Sequence, residues 1–385
     1  MANRMVLNET SYFGQGGIGV IPEEVKRRGF QKALVVTDPN LIKFQVATKV
    51  TKILDDAGLA YEIFDDVKAN PAIENVKAGV AAFQKAKADY IIAIGGGSPQ
   101  DTAKAIGIII NNPDFADVRS LEGVADTKNK SVPVIAIPTT AGTAAEVTIN
   151  YVITDVENKR KFVCVDVNDI PVLAIVDPDM MASMPASLAA STGMDALTHA
   201  IEGYTTKGAW ELSDALCLKS IEMIGRSLRA SVLDQDMTAK NDMGVAQYVA
   251  GMAFSNVGLG LVHGMAHPLG AYYDTPHGVA NALLLPYVME FNKDYTGDKY
   301  KYIAKALGVK DVDSMTPEQY KDAAVQAVFQ LSKDLNIPQK LQQLNIPEQD
   351  LESLAQSAFE DVCTPGNPRE ATKEEILALY QKAYR

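Results

Sequence analysis

The stretch YIIAIGGGSPQDTAKAIG, residues 90–107, decides the fold. It opens as an apolar, β-branched run of the kind that fills a strand buried on both faces, and three glycines then end it. Glycines there let the backbone turn tightly and approach a ligand without Cβ clashes. Ser98 is placed to N-cap the following helix, Pro99 suits its first position, and Asp101 stands where a capping box wants an acid. Such a helix start, with Gly96, Gly97 and Ser98 at its mouth, seats a pyrophosphate on free amides. The motif is neither G-x-G-x-x-G nor a P-loop, because no Gly-Lys-Ser/Thr follows.

Outward from this loop, KALVVTD (32–38), AYEIFDDV (60–67) and VPVIAIPTT (132–140) repeat the buried-strand pattern, and AIENVKAGVAAFQKAK (72–87) is helical between two of them. Strands alternating with helices imply a parallel sheet covered on both faces. Residues 150–167 read as a hairpin around the polar turn Asp155 to Arg160, and residues 171–185 supply one more strand. From Ala186 onward only helical periodicity remains, and Thr372 with Glu375 forms a capping box ahead of the last helix. At 385 residues the chain exceeds the roughly 250–300 at which single cores stop growing. The expectation is an α/β dinucleotide-binding domain over 1–185 and an all-helical domain over 186–385, with ligands in the cleft between them. The N-terminal RMVLNETSYFGQGG pairs either with a partner chain as an edge strand or with its own sheet.

PTTAGTAAE brings Thr139, Thr140 and Thr143 to the end of their strand. Asp38 ends the 32–38 strand, where a carboxylate accepts from both ribose hydroxyls and repels a 2′-phosphate, which favours NAD over NADP.

A net charge of −12, with basic residues confined to short runs such as Lys159-Arg160-Lys161, argues against a nucleic-acid binder. The N-terminus lacks an apolar leader and no run is long enough to span a membrane, so a cytoplasmic protein is expected. Cys164, Cys217 and Cys363 are too dispersed for a thiolate metal site.

Three of the four histidines fall in LVHGMAHPLGAYYDTPHGVAN, residues 261–281. Asp195 and His199 stand four apart on a helix, as do His263 and His267, and His277 lies ten further on. One carboxylate and up to four imidazoles suit a divalent first-row metal, and spacing alone does not say which imidazoles bind it. HGMAH lacks the glutamate of H-E-x-x-H, which removes the hydrolytic reading. Glu202, one turn beyond His199, is expected to be an exposed helix acid, with a place behind the metal ligands as the alternative. A dinucleotide cradle and a His/Asp site together point to hydride transfer beside a Lewis acid; the rival from another class is a non-catalytic NAD- or metal-binding sensor.

GGGSPQDTAKAI, PTTAGTAAEVT, GMDALTHAIEGY and GLVHGMAHPLGAYYDTPHGVANALLLP resemble, in order and spacing, the signatures of the iron-dependent (group III) alcohol dehydrogenases. The resemblance covers nearly the whole chain and departs most clearly between Ser231 and Met243. It implies a Rossmann-like N-terminal domain and an all-helical C-terminal domain of the dehydroquinate synthase-like type, a homodimer, NAD(H), Fe2+ with Zn2+ as the alternative, and a small alcohol or aldehyde substrate. It assigns the metal to Asp195, His199, His263 and His277, and leaves His267 unliganded near the nicotinamide, where His267 as catalytic residue or a water chain through the cofactor ribose is expected to supply the proton. It places Asp38, Asn70, Gly97, Ser98, Thr139, Thr140, Thr143, Val152 and Lys161 at cofactor positions. Asn150, Val163, Phe254, Leu259 and Cys363 fall near the substrate. Glycerol dehydrogenases and dehydroquinate-synthase-like lyases, from the wider superfamily, are the alternatives within enzymes.

Overall fold

The computed structural model describes residues 2–158 and 160–385; Lys159, of the 159–161 basic run and the expected hairpin turn, lies outside the described residues. The chain divides into two units, one running to Thr140 with Ala144–Met184, the other Ala141–Thr143 with Pro185–Arg385.

The first unit holds strands β1 (Thr10–Phe13), β2 (Lys32–Val36), β3 (Ala60–Phe64), β4 (Tyr90–Gly95), β5 (Val134–Pro138), β6 (Asn150–Asp155), β7 (Arg160–Val165) and β8 (Leu173–Val176). Its helices are α1 (Ile21–Arg28), α2 (Pro39–Lys43), α3 (Val46–Asp56), α4 (Ile73–Ala86), α5 (Gly97–Asn111) and α6 (Pro178–Met181). Six strands form a parallel sheet in the order β1-β8-β5-β4-β2-β3. Alternate residues serve opposite faces: Ala33, Val35, Ile92 and Ile94 join one core, Leu34, Val36, Ile91 and Ala93 the other. That is why these runs are apolar without alternation. The N-terminal segment pairs β1 in parallel with β8, at the edge of its own sheet.

The chain steps from β2 out to β3, then back across β2 to β4, so the winding reverses between β2 and β4. Ligands of open α/β sheets bind outside the carboxyl ends at such a point. Asp38 and the Gly95–Ser98 turn leave those two ends.

The hairpin forms as an antiparallel β6–β7 pair with Val152 opposite Val163, and buries Tyr151, Ile153, Phe162 and Cys164 with residues of α4 and α5.

Two local expectations are corrected. Helix α5 begins at Gly97 with Gly96 as N-cap, and Ser98 lies inside the first turn making no cap bond. A Cβ at Gly95 would sit 2.4 Å from Pro99 Cγ, so glycine there lets the chain fold over the proline and start the helix before Ser98. Asp38 stands two residues past β2 and N-caps α2, accepting from the Asn40 and Leu41 amides.

The second unit contains α7 (Ala186–Thr205), α8 (Glu211–Arg229), α9 (Met237–Val257), α10 (Leu261–Tyr273), α11 (His277–Asn292), α12 (Lys299–Ala306), α13 (Pro317–Asp334), α14 (Leu351–Phe359) and α15 (Lys373–Tyr384). No strand follows Val176 among the described residues. Helix α7 is buried from Ala189 to Thr205, so it is the central element of this unit. The divergent stretch from Ser231 falls on a π-turn, Ala230–Asp234, and the start of α9. Among the described residues, no single helix is long and apolar enough to cross a membrane.

Candidate metal centre and dinucleotide loop

In the sheet unit, the start of α5 offers backbone amides without a side-chain cap, as an anion seat requires. The Thr140 hydroxyl oxygen is buried with no hydrogen-bond partner, and a Cβ on Gly96 would stand 3.1 Å from it. The Gln100 carbonyl oxygen is likewise buried and unpartnered. Glycine backbone with polar atoms beside it fits a pyrophosphate. Thr139 N–H donates to Gly95 O at 3.1 Å, tying the β5 end to the same loop. Asp101 accepts from Val152 N–H at 3.1 Å, so its work is to pin β6 to α5. Lys161 donates to Asn70 Oδ1 at 2.6 Å, bringing two expected cofactor residues together. Asp38 directs Oδ1 to its capping bonds. Thr143 belongs to the helical unit instead.

Of the substrate candidates, Asn150 and Val163 lie on the hairpin, and Asn150 O accepts from buried Lys104 at 2.9 Å. Phe254, Leu259 and Cys363 lie in the helical unit. Phe254 stacks on His199 with ring centroids 4.2 Å apart. Leu259 O accepts from Thr206 at 3.1 Å. The Cys363 amide donates to Asp361 at 2.8 Å, and burial with that carboxylate pushes its thiol well above the ordinary value, so the sulfur stays neutral.

In the helical unit, one ligand atom from each of Asp195, His199, His263 and His277 lies within 4.8 Å of the others. Helix α7 supplies the first two from one face, α10 the third, and the first residue of α11 the fourth. A Cβ on Gly278 would meet Ser191 O at 2.7 Å, so that glycine lets α11 start against α7 and puts His277 Nε2 3.7 Å from Asp195 Oδ1. Burial, then the His199 ring, pushes His263 far below the usual imidazole range and keeps it neutral, as a ligand must be. Burial alone would raise the Asp195 carboxyl, but the His199, His277 and His263 rings and the Asn281 amide outweigh it and hold it below its ordinary value. Three buried imidazole and carboxylate donors and a half-buried fourth fit a divalent cation, and His199 Nδ1, buried with no partner, shows a ring placed by packing.

His267 is outside this set and inside a second, with Asp361 and Cys363. Its Nδ1 lies 2.8 Å from Asp361 Oδ2.

One residue that sequence reading left out and one that it expected to be exposed complete the surroundings. Asn281 Nδ2 donates to Asp195 Oδ1 at 2.7 Å and lies 3.1 Å from His263 Nε2 and 3.0 Å from His277 Nε2. Its position four residues after His277 on α11 was the available signal. Glu202 is not an exposed acid: it is 5% exposed, because α7 is buried all round. Burial raises its carboxyl, and the Val262 and Gly260 amides oppose this by hydrogen-bonding the ionised form.

Comparison with known proteins follows this division. Residues 8–178 match the model of iron-containing alcohol dehydrogenase, and residues 189–384 that of the C-terminal part of the Fe-containing alcohol dehydrogenase family. The chain is 62% identical over 384 residues to lactaldehyde reductase of Escherichia coli (strain K12), covering 100% of each. It is 41% identical over 377 residues to 1,3-propanediol dehydrogenase of Klebsiella pneumoniae, covering 97% of each. Its fold is similar to the crystal structure of a 1,3-propanediol oxidoreductase, with a TM-score of 0.96 at 39% identity over 100% of both chains.

Proposed function

The chain belongs to the iron-containing alcohol dehydrogenase family, and from that premise we propose that it interconverts lactaldehyde and 1,2-propanediol with NAD(H) and a divalent metal, Fe2+ by family. Asp195, His199, His263 and His277 would hold the metal. The Gly95–Ser98 turn, with Thr139, Thr140, Asp38, Asn70, Val152 and Lys161, would hold the dinucleotide. When bound, the metal polarises the substrate oxygen while the nicotinamide takes or gives the hydride.

The chain's own part is positioning and proton handling. Asp361 accepts from His267 Nδ1, which leaves Nε2 free to take or release a proton. Phe254, stacked on His199, supplies an apolar wall beside the polar cluster. A homodimer in the cytoplasm is the accompanying reading; for the dimer, the edge position of β1 offers a strand for pairing and a sizing column is the test.

The convergence of four nitrogen and oxygen donors from α7, α10 and α11 carries this reading. It is tested anaerobically by stripping metal, restoring Fe2+ or Zn2+ separately, and following NADH consumption with lactaldehyde. The expected result is turnover restored by Fe2+. Intact NADH binding without lactaldehyde turnover by either metal would redirect the assignment to a glycerol dehydrogenase or a lyase. Stoichiometric binding without turnover of any alcohol would make the chain a sensor.

A further inference from the structure

Asp195, His199 and Glu202 stand at i, i+4 and i+7 on α7, so the helix face that presents two metal candidates also presents a third polar group. Glu202 Oε1 accepts from Val262 N–H, in the first turn of α10, at 2.7 Å. Its Oε2 lies 2.5 Å from His263 Nδ1. The other ring nitrogen, His263 Nε2, is the one beside Asn281 and the remaining donors. We infer that Glu202 is a positioning residue for metal binding: it keeps the hydrogen of His263 on Nδ1, so that the Nε2 lone pair is offered to the cation. The inference rests on His263 being a ligand.

The pairing requires a carboxylate specifically. A carboxylate has two acceptor oxygens and no donor, which matches two N–H groups side by side. A carboxamide has one of each. If Gln at this position turned its oxygen to Val262, its NH2 would donate to His263 Nδ1 and drive the ring hydrogen onto Nε2, closing it to metal. Turned the other way, its NH2 would face the Val262 N–H, donor against donor. His199 has no such dependence, because its Nδ1 is unpartnered and its ring is held by stacking on Phe254. Two imidazoles of one site are therefore oriented by different means.

Carboxylates that fix ligand histidines are worth about 10–100-fold in metal affinity. The test uses Zn2+ alone as probe, in competition with a chromophoric chelator, on wild type, Glu202→Gln and His263→Ala. Glu202→Gln should bind Zn2+ 10–100-fold more weakly, while cooperative unfolding and NADH binding are retained. A purely structural capping role would lower apo stability and leave Zn2+ affinity alone. Affinity within about twofold of wild type in Glu202→Gln, with His263→Ala weakened, would overturn the inference. Wild-type affinity in His263→Ala would instead remove the ligand assignment beneath it. If Glu202→Gln does not fold, histidine-selective 15N spectra of zinc-loaded wild type decide: hydrogen on His263 Nδ1 and metal at Nε2 are expected, and metal at Nδ1 overturns the proposal.

Discussion

His267 and Asp361, 94 residues apart in sequence, meet through Nδ1 and Oδ2 at 2.8 Å, and the other carboxylate oxygen accepts from the Cys363 amide. Burial alone would raise the Asp361 carboxyl, but the His267 ring and the Cys363 amide outweigh it and hold it below its ordinary value. An ionised carboxylate there fixes the ring orientation and its tautomer. If His267 handles the proton, Asp361→Asn should lower kcat about 100-fold, the low end of general acid–base contributions. His267→Ala should lower it comparably, and the double variant no further, because one device is being removed. Steady-state kinetics with metal content measured in parallel would check this; additive losses would separate the two residues.

The close approach of α11 to α7 makes Gly278 a lever on the metal site. In Gly278→Ala the new Cβ would meet Ser191 O at 2.7 Å, so the first turn of α11 must move and carry His277 with it. Bound metal per chain, measured after dialysis against a weak chelator, should fall while NADH binding persists. An unchanged metal ratio would show that α11 has slack this packing does not suggest.

What was legible in the chain was local. The 3.6-residue period put Asp195 with His199, and buried-strand runs gave β2, β4, β5 and β8; β3, expected to be buried like them, is the edge strand of the sheet and buries only Phe64. Same-helix neighbours such as Asn281 and Glu202 were within reach of the same rule, but amide and acid on a helix ordinarily face water, and only the all-round burial of α7 reverses this for Glu202. The Asp361 pairing was out of reach, since α10 and the loop after α14 meet only in the fold. Residue preference misplaced the start of α5: serine is the better N-cap in isolation, but the packing of Gly95 on Pro99 decides.

Asp38 works twice if the cofactor reading holds. Its Oδ1 caps α2, and its position beyond β2, beside the winding reversal, suits a ribose diol. Asp38→Gly should raise the NADPH-to-NADH ratio of kcat/KM at least 10-fold; glycine is itself a tolerated cap, so stability should drop only a few tenths of a kcal/mol. An unchanged ratio would leave Asp38 as a helix cap alone.

The hairpin bearing Val152 and Lys161 is anchored by an acid-sensitive pair. Arg119 reaches Asp155 through Nε at 2.7 Å and Nη2 at 3.0 Å, and Asn158 Nδ2 adds a bond at 2.7 Å. Arg119, then Asn158, holds this carboxyl far below the carboxylate range. The folded value is therefore lower than the roughly 3.9 of an unfolded chain. The unfolded state binds the proton more readily, so the stabilisation is whole above about pH 4 and is lost as pH falls through the folded value. Urea unfolding should show a midpoint with little Asp155 contribution to its slope from pH 7 to pH 5 and a steep decline below pH 4. Asp155→Asn should start lower at pH 7 and lose less between pH 4 and pH 2. Parallel curves for the two proteins would mean that Asp155 titrates alike in both states and that the hairpin is held by its apolar face alone.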